Sequence, residues 1–412
     1  MWPRSPNLHK FSAGAFDYLN KNSLIRFYYP IDDPSSIQGS TPTKSKWHPI
    51  DYLANYAPKT TKFLHAKFQN LKADSYENQQ ISEKQENYKL IIFSHGILGN
   101  RFIYSNICTF LAKCGFIVAA VEHRDRSAMH SFDINENGEK VEIFNRKVAT
   151  PTGPTRQSSP ETHDIRSSQL TTRVREFLDA WDTCKKLNGE IDSLVELPEN
   201  TVSLPDFKNK LDTDDENTDN FFKSKIKNPN NPIIIGHSFG ASTILKILEA
   251  TPTKTFPKAI ALDPWLFPLN ADFFKNFSQN PHNTPKHFTV LQSQLWCWPA
   301  QIAGSNFGKF EDKCWSFVET RHQSFSDVPF VINELGFFPV WLQKFAHLRG
   351  NNCPVDSGRR MNEVILQVLE SGGDSLENYE EDILYKGFMD KSCFSQNPTK
   401  VKRKIEEMYG QG

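Results

Sequence analysis

The 412-residue sequence has no surplus of either charge, since 48 lysines and arginines stand against 48 aspartates and glutamates. No overall field therefore draws it to nucleic acid, and a partner has to be read from a site rather than from net charge. It also has no apolar run approaching the roughly 20 residues of a membrane-spanning helix. A soluble chain is expected, with any lipid contact peripheral. Residues Met1 to Phe16 carry Arg4 and Lys10 but lack the apolar stretch of a signal peptide. The seven cysteines (Cys108, Cys114, Cys184, Cys297, Cys314, Cys353 and Cys393) have no paired spacing and no accompanying histidine cluster, which argues against a disulfide framework or a zinc site. Free thiols of a reducing compartment are the expectation, hence a cytoplasmic or nucleocytoplasmic protein that is not secreted.

Against these absences stand four short apolar runs: Leu90 to Phe93, Phe116 to Val121, Ile233 to Ile235 and Ala259 to Leu262. Continuous rather than alternating apolar residues suit strands buried on both faces, as in a mainly parallel sheet covered by helices. The class is therefore α/β. Between the second and third runs, Leu170, Val174, Phe177, Leu178 and Trp181 recur at helical spacing and predict a crossover helix, with Arg173, Arg175 and Asp179 between them. Ala241 to Ala250 is helix-compatible, with a stripe of Ile244, Leu245 and Leu248. Residues 71–87, 130–166 and 189–231 are poor in large apolar groups, the last holding Asp212, Asp214, Asp215, Glu216 and Asp219. They read as surface insertions of a single domain spanning residues 1–390, with 391–412 as a polar, basic tail.

Chemistry enters at Gly236-His237-Ser238-Phe239-Gly240, directly after an apolar strand and before a helix. At such a turn the serine takes a strained conformation that exposes its hydroxyl, and glycines two residues away on either side avoid collisions with strand and helix. Ser238 is the candidate nucleophile. Acyl transfer then needs two donors for the tetrahedral oxyanion. The Phe239 N–H supplies one; Phe93-Ser-His-Gly-Ile-Leu-Gly99 supplies the other, from Ile97 with Leu98 as the adjacent alternative. In the chain order serine, acid, histidine, Asp263 ends the next apolar run, where Pro264 stops the strand. His322 lies in a polar loop, but spacing alone does not separate it sharply from His287; His282 and His347 fit less well. Asp327 and Glu311 remain reserve acids.

At these residues the chain resembles the platelet-activating-factor acetylhydrolase family, the lipoprotein-associated phospholipases A2 and their intracellular relatives. The resembling blocks are Leu24-Ile-Arg-Phe-Tyr-Tyr-Pro30, Phe93-Ser-His-Gly96, Glu122-His-Arg-Asp125, Gly236-His-Ser-Phe-Gly240, Leu262-Asp-Pro-Trp265 with Phe267-Pro-Leu269, and Arg321-His-Gln-Ser-Phe325. The resemblance implies an α/β-hydrolase fold with Ser238 as nucleophile, Asp263 as acid, His322 as base and the Ile97 and Phe239 N–H groups as oxyanion hole. It further implies calcium-independent hydrolysis of short or oxidised sn-2 acyl groups of glycerophospholipids, with no metal or organic cofactor. The chain departs from the pattern at Pro264, where relatives often carry alanine, and in its long acidic insert.

Two features stand outside that set. Arg124 and Arg126 end the second apolar run, where a structural ion pair is the preferred reading over a headgroup contact. The segment 334–345 gathers Leu335, Phe337, Phe338, Val340, Trp341, Leu342 and Phe345 beside Lys344. Such residues usually cover a core; the alternative is a rim of the site that dips into a membrane surface.

Overall fold

The computed structural model describes residues 3, 5–20, 23–36, 42–49, 51, 65–66, 68–148, 160–189, 221–251, 255–269, 273, 287–294, 313–333, 353–379 and 383–386. The chain divides into two compact units, a first of Ser5–Arg146 and Thr172–Ile233 and a second of Met1–Arg4, Lys147–Thr171 and Ile234–Gly412.

In the first unit, β1 (Ser12–Leu19), β2 (Leu24–Ile31), β3 (Lys44–Lys46), β4 (Lys72–Glu77), β5 (Tyr88–Ser94) and β6 (Phe116–Val121) lie in the order β5-β6-β2-β1-β4-β3. β5 and β6 are parallel, whereas β2 runs antiparallel to both β6 and β1. Leu90 to Phe93 and all of β6 are buried, as their unbroken apolar character requires. Helix α1 (Ser105–Lys113) joins β5 to β6. Antiparallel β7 (His130–Ile134) and β8 (Lys140–Phe144) form a separate hairpin within the polar stretch 130–166.

The stretch 71–87 does not leave the sheet as its polarity suggests. It contributes β4, parallel to β1 and antiparallel to β3. The inward positions are the small Ala73 and Ser75, so a strand with a buried face carries almost no hydrophobic signal. Helix α2 (Pro160–Leu187) starts well before its apolar stripe, with proline at its first position. It buries charge as well as Leu170 and Phe177, for Arg173 and Glu176 are enclosed too. Strand β9 (Ile226–Lys227) pairs in parallel with β5.

The second unit orders β10 (Ile233–His237), β11 (Lys258–Leu262), β12 (His287–Ser293), β13 (Cys314–Phe317) and β14 (Leu384–Lys386) as β14-β13-β12-β11-β10. The first four are parallel and β14 is antiparallel. Helices α3 (Phe239–Ala250), α4 (Val328–Asn333) and α5 (Pro354–Ser371) accompany them. Parallel strands gather their C-terminal ends at one sheet edge, where α/β proteins place their sites. His237 pairs with Leu262, so the residues that follow, Ser238 and Asp263, leave that edge side by side.

No helix among the described residues is long and apolar enough to cross a membrane. The acidic cluster 212–219, the aromatic segment 334–345 and the tail 391–412 lie outside the described residues.

Candidate active site

Ser238 is the hinge between β10 and α3. Its backbone sits at φ 57° and ψ −115°, a conformation that costs a residue with a side chain and persists only where the surroundings enforce it. They do so from three sides. The Ser238 N–H donates to the Leu262 carbonyl at 2.9 Å, and the Ser238 carbonyl accepts from the N–H groups of Trp265 and Ala241, both at 3.1 Å. A Cβ on Gly236 would stand 2.2 Å from the Gly240 carbonyl oxygen, so the first glycine of the motif is required by backbone crowding.

Asp263 also has a positive φ, 42°, and is wholly buried. Its carboxylate accepts the Ser293 N–H at 2.6 Å, the Ser293 hydroxyl, and His322 Nδ1 at 3.1 Å. Burial pushes the carboxyl up from the usual range, and the Ser293 donors oppose that rise. His322 opens a short 3₁₀ turn, His322–Phe325. Burial pulls its imidazole down, favouring the neutral ring a general base needs. With Nδ1 donating to Asp263, the lone pair is on Nε2.

A further histidine supports this one. His237 Nε2 donates to the His322 carbonyl at 3.1 Å, and the two rings lie 4.5 Å apart between centroids. Burial, then the neighbouring His322, depress its pKa. His237, Asp263 and His322 bring possible ligand atoms within 4.8 Å of one another. His322 Nδ1 is already bound to the carboxylate and His237 Nε2 to a carbonyl, which is how a base is held in one orientation.

His322 is thus the histidine brought to Asp263. His287 begins β12, whereas the strand's other end, Ser293, bonds Asp263; six residues of strand separate the two by roughly 20 Å. Asp327 is buried but lies at the start of α4, where its carbonyl accepts the Phe330 N–H; Glu311, His282 and His347 lie outside the described residues. Phe239 opens α3 and packs edge-on against Trp265 at 5.4 Å. Ile97 belongs to the loop after β5 in the first unit, and among the described residues its N–H has no acceptor. Arg124 pairs with Asp133 at 2.7 Å, the structural use preferred for it.

Sequence reasoning missed His237 and Ser293. The first is the variable residue of the glycine-serine-glycine motif, with no pattern of its own. The second lies in a strand, His287-Phe-Thr-Val-Leu-Gln-Ser293, whose polar residues hide it from a search for apolar runs.

The profile of a family described as platelet-activating factor acetylhydrolase, isoform II, matches residues 12–390. The platelet-activating factor acetylhydrolase of Bos taurus is 29% identical over 326 residues, which are 78% of this chain and 66% of that one. The protein of that name from Cavia porcellus is 30% identical over 327 residues, 73% of this chain and 67% of that one. The matched region spans about two thirds of the length of these curated relatives. The solved structure of a ferulic acid esterase from Streptomyces cinnamoneus superimposes with a TM-score of 0.55 at 12% identity, covering 91% of this chain and 95% of that one. At that identity the likeness speaks for the fold, which is of the α/β-hydrolase type.

Proposed function

Since the chain belongs to the platelet-activating factor acetylhydrolase family, isoform II, we propose that it is a calcium-independent serine esterase of glycerophospholipids bearing short or oxidised sn-2 acyl groups, 1-alkyl-2-acetyl-glycerophosphocholine among them. The observation that carries the reading is the bond of His322 Nδ1 to buried Asp263 at 3.1 Å beside a serine held at φ 57°. Ser238 Oγ attacks the sn-2 carbonyl carbon while His322 Nε2 takes its proton, and Asp263 stabilises the imidazolium. The Phe239 N–H, at the start of α3, faces the developing oxyanion together with the helix N-terminus. Ile97 is assigned as the second donor on its place in the sequence and on its N–H, which has no acceptor among the described residues. Collapse of the tetrahedral adduct breaks the ester C–O bond, and the lysophospholipid alkoxide leaves with the proton from His322. Water, deprotonated by the same imidazole, then releases the short acid from Ser238.

The test is hydrolysis of 1-alkyl-2-acetyl-glycerophosphocholine by the full chain in excess chelator. Turnover that persists there and vanishes in Ser238→Ala supports the reading. A rate that collapses with chelator and returns with calcium overturns it. A preference for simple esters over every phospholipid makes the protein a general carboxylesterase with the same three residues.

Two finer points belong to the reading. A cytoplasmic or nucleocytoplasmic site is supported by the free thiols of Cys108, Cys114, Cys184, Cys314 and Cys353; cell fractionation tests it. Peripheral contact of 334–345 with membranes rests on its aromatic composition. Phe338→Ser and Trp341→Ser should then weaken vesicle binding while leaving hydrolysis of a small soluble ester unchanged.

A further inference from the structure

In the loop His95–Gly99, three of the four N–H groups from Gly96 to Gly99 are bonded. Gly96 N–H donates to the Tyr104 hydroxyl at 3.0 Å, Leu98 N–H to the Ser127 carbonyl at 2.8 Å, and Gly99 N–H to the Gly96 carbonyl at 3.1 Å. The Gly96 carbonyl also accepts from His95 Nδ1 at 2.7 Å. His95 Nε2 in turn accepts the His123 backbone N–H at 3.0 Å, so the ring is neutral with its proton on Nδ1. Of the N–H groups of Gly96, Ile97, Leu98 and Gly99, that of Ile97 alone lacks an acceptor among the described residues.

One side chain grips the loop on both sides of Ile97. Arg173, on α2 and wholly buried, donates from Nη1 to the His95 carbonyl at 2.7 Å. Its Nη2 donates to Ser127 Oγ at 2.6 Å and its Nε to Asp125 Oδ2 at 3.0 Å. Ser127 is the residue whose carbonyl holds Leu98, and its own N–H is tied to Asp125 at 2.9 Å. A guanidinium fork meets three acceptors in fixed directions, which a lysine ammonium on a flexible stem does not reproduce. Burying such a charge is costly, and these three bonds converge on this loop and its brace.

We propose that Arg173 is a positioning residue for oxyanion stabilisation: with Tyr104 it fixes the His95–Gly99 loop so that the Ile97 N–H is presented to the reaction unbonded. The proposal rests on the serine-esterase reading, with Ile97 as second donor. It makes the interior charge of α2 part of the catalytic apparatus although Arg173 touches no substrate.

The test uses the full chain carrying Arg173→Lys or Tyr104→Phe, with Ser238→Ala as reference. Active sites are titrated to completion with a fluorophosphonate, so that rates refer to competent enzyme only. Kinetics on p-nitrophenyl acetate are compared with inhibition by a trifluoromethyl ketone, which adds to the serine and carries an oxyanion. For Arg173→Lys, kcat per active site should fall about 10- to 100-fold, below the loss from deleting an oxyanion donor outright. KM should stay within about twofold, because the interaction is made in the transition state. Trifluoromethyl ketone affinity should weaken by the same factor as kcat/KM. Tyr104→Phe should repeat the pattern at about 3- to 10-fold, and it decides the matter alone where Arg173→Lys does not fold. A lower melting temperature or active fraction, with kcat and ketone affinity per active site unchanged, overturns the proposal and leaves Arg173 structural. Wild-type turnover in Ser238→Ala is a different failure, that of the esterase reading itself.

Discussion

Ser293 gives Asp263, the proposed acid, both its backbone N–H and its hydroxyl. Both bonds favour the ionised carboxylate against the burial that raises its pKa. Ser293→Ala removes one of them, so the anion forms only at higher pH. The expected result is a roughly tenfold fall in kcat/KM near neutrality, with the acid limb of the pH profile moved upward. A pH–rate series on a soluble ester checks both. His322→Ala and Ser238→Ala should each cost several orders of magnitude in turnover, and losses should not add in the double variant, since the group acts as a unit. Asp263→Asn should slow turnover severely by stabilising the wrong imidazole tautomer. His322 itself was only half legible: the sequence left His287 as a rival, and strand register, which no local pattern encodes, placed the two at opposite ends of β12.

At the scale of elements, the β10–Ser238–α3 turn leaves no room for a side chain at Gly236. In Gly236→Ala the new methyl meets the backbone of Gly240 and Ala241, at 2.2 to 2.8 Å, and backbone at a helix start cannot swing aside. A loss of about 3 kcal/mol is expected, as for severe overpacking, with activity falling further because Ser238, the proposed nucleophile, moves. Urea melts and active-site titration of the same preparation separate the two effects. Four strands were readable in the sequence because they are buried on both faces: β5, β6, β10 and β11 each coincide with an apolar run. Strands with one small or polar face were not. β4 shows Lys72, Asp74 and Tyr76 alternating with Ala73 and Ser75, and the first turns of α2 are hidden in a polar stretch. The interior charges of α2 also escaped, since Arg173 lies among apolar residues at a position that composition assigns to solvent.

The whole molecule carries several buried histidines whose pKa values burial depresses: His95, His123 and His237 as well as His322. For each, the unfolded chain binds a proton below about pH 6.5 that the folded chain refuses. That contribution to stability is therefore complete above pH 6.5 and is lost as the pH falls. Glu176, raised by burial to about 7, acts in the opposite sense, losing its contribution as the pH rises through about 4.5 to 7. Substitution isolates one histidine from this sum. Between pH 7.5 and 5.5, His95→Gln should lose about 1.4 kcal/mol less stability than the parent, the linkage of one imidazole; urea unfolding at the two pH values measures it.

The division of the chain between two units bears on how the protein is made. The first unit takes its last residue at Ile233, whereas the second draws on Met1–Arg4, on Lys147–Thr171 and then on everything from Ile234 onward. During synthesis at about 5–20 residues per second, the first unit has all its sequence while most of the second is still untranslated, an interval on the order of ten seconds or more. Throughout it, Lys147–Thr171, with the opening turns of α2, waits on the nascent chain for partners not yet made. A ribosome that pauses in that interval has made all the sequence of one unit and the opening turns of α2, but not yet Asp263 or His322.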